Sequence, residues 1–96
     1  MTKDLLEAVL QQKRELFKTR GFRVSLSLLR PESFSANFDG AAYVGTLTCW
    51  SNGQCEMQFN SCKSGAVVVL ETEQVFTEIQ LSRFIDEMIG RLEIQS

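Results

Sequence analysis

The chain has 96 residues, 44% of them hydrophobic, with 10 Lys and Arg against 12 Asp and Glu for a formal charge of -2, one Pro and no His. That length predicts one small domain spanning 1–96, which would bury roughly 60–65% of the surface its unfolded form exposes and needs no disulfide or metal to hold a core. The balance of charge excludes compositional disorder and the strongly basic character of a default phosphate binder, and the missing His removes the Ser-His-Asp arrangement and the commonest general base at neutral pH.

Between Thr2 and Thr19 the apolar residues Leu5, Leu6, Val9, Leu10, Leu16 and Phe17 recur at helical spacing among charged ones, which predicts an amphipathic helix. Thr2 or Asp4 can cap its first turn, its last turn is basic, and Gly21 supplies the stop. Phe22, Val24, Leu26 and Leu28 then alternate with Arg23, Ser25 and Ser27, the period-2 signature of a strand with one wet face, and Pro31 ends it. Phe34, Ala36 and Phe38 alternate with Ser33, Ser35 and Asn37 and form a weaker extended piece before an Asp39-Gly40 turn.

Two strand-like runs, Ala42 to Trp50 and Gln54 to Asn60, meet at Ser51-Asn52-Gly53, where two loops compete. A two-residue Asn52-Gly53 loop pairs Trp50 with Cys55 and mixes Thr46, Thr48 and Trp50 with Cys55, Met57 and Phe59. A three-residue loop with a left-handed Gly53 pairs Cys49 with Cys55 and Leu47 with Met57. It gathers Tyr43, Leu47, Cys49, Cys55, Met57 and Phe59 on one face and Thr46, Thr48, Trp50, Gln54, Glu56 and Gln58 on the other. Because a one-residue slip would bury the polar set, the three-residue loop is expected.

Ser61 to Gly65 reads as a connection into Ala66 to Glu73, whose β-branched Val67-Val68-Val69 core suggests a central or well-covered strand. Thr77-Glu78-Ile79-Gln80 matches a capping box, with Phe76 and Leu81 placed for a hydrophobic staple. Leu81, Phe84, Ile85, Met88, Ile89 and Leu92 follow at helical spacing, and Gly90, costing about 1 kcal/mol relative to Ala, marks where the helix can fray. This segregated pattern, α-β-β-β-β-α with the second extended segment the weakest, implies an α+β fold. An antiparallel β-meander carries two helices packed on one face, and its other face is wet or meets a partner.

The chain opens on a charge-punctuated pattern and not on a secretory leader, and its longest apolar run, Ala66 to Leu70, falls far short of the roughly 20 residues that cross a bilayer, so a cytoplasmic protein without a membrane role is expected. Reduced thiols follow, and Cys49, Cys55 and Cys62 read as small apolar residues. A zinc site would want a Cys-x-x-Cys pair or a His, and a Cys nucleophile would want a neighbouring cation; neither a metal nor a cofactor is expected.

Candidate carboxylate pairs, Glu71 with Glu73 and Asp86 with Glu87, have no clustered partners, so no catalytic residues and no small-molecule substrate are expected. What remains is surface. Trp50 either anchors a partner or packs at the sheet end, and Glu56 across the hairpin either meets a basic group or is solvated. Thr46, Thr48, Trp50, Glu56 and Gln58 are therefore the candidate partner-binding residues. Residues 1–23 hold six Lys and Arg against three Asp and Glu, while residues 24–96 hold four against nine. An acidic body suits a basic protein partner and disfavours nucleic acid; Lys13, Arg14, Lys18, Arg20 and Arg23 come without a stacking platform or a Gly-rich loop. The alternative is two solvated helix faces.

The run Gly45-Thr46-Leu47-Thr48-Cys49-Trp50-Ser51-Asn52-Gly53-Gln54-Cys55-Glu56-Met57, with the Ser64-Gly65 turn, the Val-rich strand, the acidic tail and the terminal helix, resembles the TriTu immunity family of bacterial polymorphic toxin systems. The likeness covers about residues 22–92, and its specific part is Gly45, Trp50, Gly53, Cys55 and Glu56. Where members of that family carry an acidic residue shortly after the Trp, this chain has Ser51-Asn52. The resemblance implies a non-catalytic cytoplasmic antidote whose partner is a cognate toxin domain. A small acidic secretion chaperone, acting as a homodimer on an effector segment, and a scaffolding module share the same size and pattern.

Overall fold

The computed structural model describes residues 2–30 and 32–95, with the side chains of Leu28, Leu29, Arg30 and Gln95 left aside. Pro31, expected to end the first strand, and the facing of Leu28 lie outside the described residues. In chain order the elements are α1 (Lys3–Gln12), α2 (Arg14–Thr19), β1 (Arg23–Arg30), β2 (Ser33–Asp39), β3 (Tyr43–Trp50), β4 (Gln54–Ser61), β5 (Val67–Gln74) and α3 (Glu78–Gln95). The strands form one antiparallel meander in sequence order, β1-β2-β3-β4-β5, so the α+β architecture is the expected one. Its sheet has five strands, because the Phe34 segment pairs along its whole length with both neighbours.

The first helix starts as its sequence dictates, with the Thr2 Oγ1 accepting from the Leu5 N–H at 3.2 Å. It comes in two pieces. At Lys13 the backbone relaxes to φ -97°, ψ 9°, at a point where the inward stripe of Leu6, Val9 and Phe17 carries a charged residue. The Lys13 side chain is only 11% exposed and its Nζ reaches the Asp86 carboxylate at 2.6 Å. Gly21, at φ 79°, then turns the chain into β1.

Between the helices and the sheet, Phe38 and Phe59 pack with centroids 5.6 Å apart, Phe17 meets Phe38 edge-on at 5.3 Å, and Phe22 leans on both. Leu47, Cys49, Cys55 and Met57 continue this core along β3 and β4 to meet Leu81, Phe84, Ile85 and Met88 of α3, all buried. Each such large side chain contributes roughly 1.5–3 kcal/mol by leaving water. The capping box forms as its sequence predicts: the Thr77 N–H donates to Gln80 Oε1 at 3.1 Å and the Gln80 N–H to Thr77 Oγ1 at 3.2 Å. Helix α3 continues through Gly90 to Gln95 because Leu92 beyond it is buried.

Two expectations are corrected. Strand β5 is the edge of the sheet and not a covered strand, since a meander places its last strand outside; Val67 and Leu70 are 51% and 54% exposed. Phe76, placed for a staple onto Leu81, is 62% exposed, with its ring edge over Gly53.

Candidate functional site

The β3–β4 hairpin has the three-residue loop. Cys49 stands opposite Cys55 and Leu47 opposite Met57, and the turn closes with the Gly53 N–H donating to the Trp50 carbonyl at 2.9 Å. Gly53 adopts φ 93°, which disfavours any side chain, and a Cβ there would stand 2.8 Å from the Val75 carbonyl oxygen. This register turns Leu47, Cys49, Cys55, Met57 and Phe59 inward and sends the candidate residues outward.

Because all three helices lie on the inner side, the outer face carries rows that run straight across the sheet. Ser27, Ser35, Thr48, Glu56 and Thr72 make one row; Ser25, Asn37, Thr46, Gln58 and Leu70 make the next. Thr46, Thr48, Glu56 and Gln58 are thus a contiguous square, and Trp50 lies one position beyond it on β3, opposite Ser33 of β2. All five are partly buried. Hydroxyl and amide groups hold one another in place: Ser35 donates to Thr48 at 3.3 Å, Thr46 to Asn37 at 3.5 Å, Gln58 to Asn60 at 2.9 Å, and Asn60 to the Gly65 carbonyl at 3.0 Å. A depression of about 550 Å³ runs between them, lined in part by Asn37, Thr46, Thr48, Glu56, Gln58 and Asn60.

Sequence reasoning missed one part of this face. Val44, 38% exposed, stands opposite Asn60, and Asn60 stands opposite Val67, with Leu70 one row on. Val44, Val67 and Leu70 therefore form an exposed aliphatic corner. The signal was hidden because β5 reads as a central strand, which would bury its valines.

The residues that carried the family likeness divide by direction. Gly45 lies under the Phe59 ring, Gly53 makes the turn, and Cys55 is buried; Trp50 and Glu56 point outward and have no part in the core. Elsewhere the chemistry is sparse. Cys49 and Cys55 are buried thiols with their sulfurs 3.0 Å apart, and the hydrogen bond between them, together with burial, pushes the Cys49 thiol far above its ordinary range. Cys62, read as an apolar residue, is exposed. Glu71 and Glu73 stand opposite Met57 and Cys55, so they belong to the helix side of β5 and not to its solvent side, and Glu71 is held by Arg91 of α3 at 2.6 Å. Among the described residues, no three Cys, Asp or Glu gather as metal ligands would. No helix of the described residues is long and apolar enough to cross a membrane.

Part of the uneven charge of the sequence is spent within the molecule. The basic α1–α2 segment lies against the acidic α3, through Lys13 with Asp86, Arg20 with Glu93 at 2.5 Å, and Gln12 with Glu78. Long-range attraction of a basic partner by an acidic body is weakened accordingly, and attention moves from net charge to the open face.

Fold and face together define a small α+β protein that covers one side of its sheet with helices and leaves a patterned polar side open. The chain matches the family model described as immunity protein TriTu over residues 4–90, and it belongs to that family. The match takes in α1 as well as the sheet and most of α3. No curated protein matches the chain.

Proposed function

We propose that this protein is a cytoplasmic antidote of a bacterial polymorphic toxin system, which binds its cognate toxin domain through the open sheet face and blocks it without catalysis. Membership of the immunity family supports the role. The observation that carries the surface assignment is the outward, partly buried Trp50 at the end of the Thr46, Thr48, Glu56 and Gln58 square, on the face that no helix covers. An outward indole that is only partly buried has apolar area still to bury, and Trp is enriched among the residues that dominate interface energies. Around it, Thr46 and Thr48, held by cross-strand hydrogen bonds, and Gln58, held by Asn60 on its own strand, lose little further freedom on docking.

The test is co-expression in bacteria with the toxin domain encoded beside the gene. Growth is restored by the wild-type chain if the reading is right, and the pair co-purifies. Failure to rescue any neighbouring toxin contradicts it, and a tight constitutive dimer that captures an unfolded effector segment would identify a secretion chaperone instead.

A further inference from the structure

The open face has one feature that its polar ladder leaves unsatisfied. Glu56 is partly buried at the centre of the row Ser35–Thr48–Glu56–Thr72, yet its carboxylate has no hydrogen-bond or ion-pair partner among the described residues. Of its neighbours, the Gln58 amide donates away from it to Asn60, and the Thr48 hydroxyl accepts from Ser35. The described charged side chains of this face are Glu56, Asp39 and Arg23, and the last two stand opposite each other at its far corner. An unpaired carboxylate on the open face, one row from the outward Trp50, is where a cation that arrives with a partner can pair.

We infer that the toxin surface received by this face presents a Lys or Arg to Glu56 and, beside it, an apolar side chain to the Val44–Val67–Leu70 corner. The inference rests on the antidote reading and names the chemistry of its partner. Among the described side chains, a second copy of the same face would offer Glu56 a polar ladder and a single cation, Arg23, at its far corner opposite Asp39, so the matching charge is expected from a different protein. The aliphatic corner makes the matching demand for apolar cover, with Leu70 and Val67 more than half exposed. Two requirements at different rows of one face, on adjacent strands, fix the orientation of the bound toxin as well as its sign of charge.

The test uses the intact 96-residue chain and the purified toxin domain encoded beside its gene, with affinity measured at low and at high salt for the wild type and for E56Q, L70S, W50A and E87Q. Glu87 is an exposed carboxylate of α3 on the opposite side of the molecule, and it serves as the charge control. E56Q is expected to weaken binding about tenfold or more and to flatten the salt dependence. L70S should weaken binding without changing the salt dependence, and E87Q should leave both unchanged. Thermal melts of each variant establish that the fold is kept. Wild-type affinity for E56Q beside a weakened W50A overturns the cation pairing and leaves the open-face reading standing. Wild-type affinity for both overturns the two together, and an E56Q loss no larger than that of E87Q overturns the pairing as well.

Discussion

Gly45 and Phe59 stand opposite each other on β3 and β4, and the Phe59 ring lies so close over Gly45 that a Cβ there would run into it and come within 2.7 Å of the Gln58 carbonyl oxygen. A glycine in a central strand weakens the strand on its own, but here it leaves the room that the tilted Phe38–Phe59 pair fills. Gly45→Ala is therefore expected to lower stability by about 2 kcal/mol, as overpacking of a filled core does. Urea unfolding checks this. A variant as stable as the wild type would show that the ring moves aside at no cost.

The start of α3 depends on the reciprocal hydrogen bonds of Thr77 and Gln80, and Gln80 Oε1 accepts from the Phe76 N–H at 2.8 Å as well. Thr77→Ala removes one acceptor and should cost about 1 kcal/mol, whereas Thr77→Ser should cost little. Thermal melting of the two variants separates a capping role from a loss of side-chain bulk.

The thiols should behave as two classes. With Cys49 and Cys55 buried and Cys62 exposed, a thiol reagent at neutral pH is expected to label one cysteine in the native protein and three after unfolding. Because the folded protein holds Cys49 protonated well above the ordinary thiol value of 9.0, the unfolded chain gives up that proton first as pH rises. The contribution of Cys49 is intact below that value and is lost above it, by up to about 1.4 kcal/mol per pH unit. Urea midpoints at neutral and at strongly alkaline pH should show a smaller loss for Cys49→Ala than for the wild type.

Much of this fold was legible because local and global signals agree. The Ser51-Asn52-Gly53 loop, the inward set from Leu47 to Phe59 and the capping box at Thr77 each follow from residues a few positions apart, and the structure has them all. The break at Lys13 was not legible, because the partner that draws that side chain, Asp86, is 73 residues away. The edge position of β5 was misread for a similar reason. Three successive valines describe a good strand, but which strands flank it is a matter of topology, and the aliphatic corner of the open face disappeared with that misreading. Trp50 and Glu56 could be placed on the outer face from register alone, while the commitment of their neighbours to other hydrogen bonds is visible only in three dimensions.

The central claim is that Trp50 belongs to an interface and not to the core. Measuring the affinity of Trp50→Ala for the toxin domain together with its thermal midpoint tests it directly. The account predicts a loss of about 2 kcal/mol or more in binding, roughly thirtyfold in Kd, with a melting temperature close to that of the wild type. A variant that unfolds, or one that binds the toxin as tightly as the wild type, would contradict it.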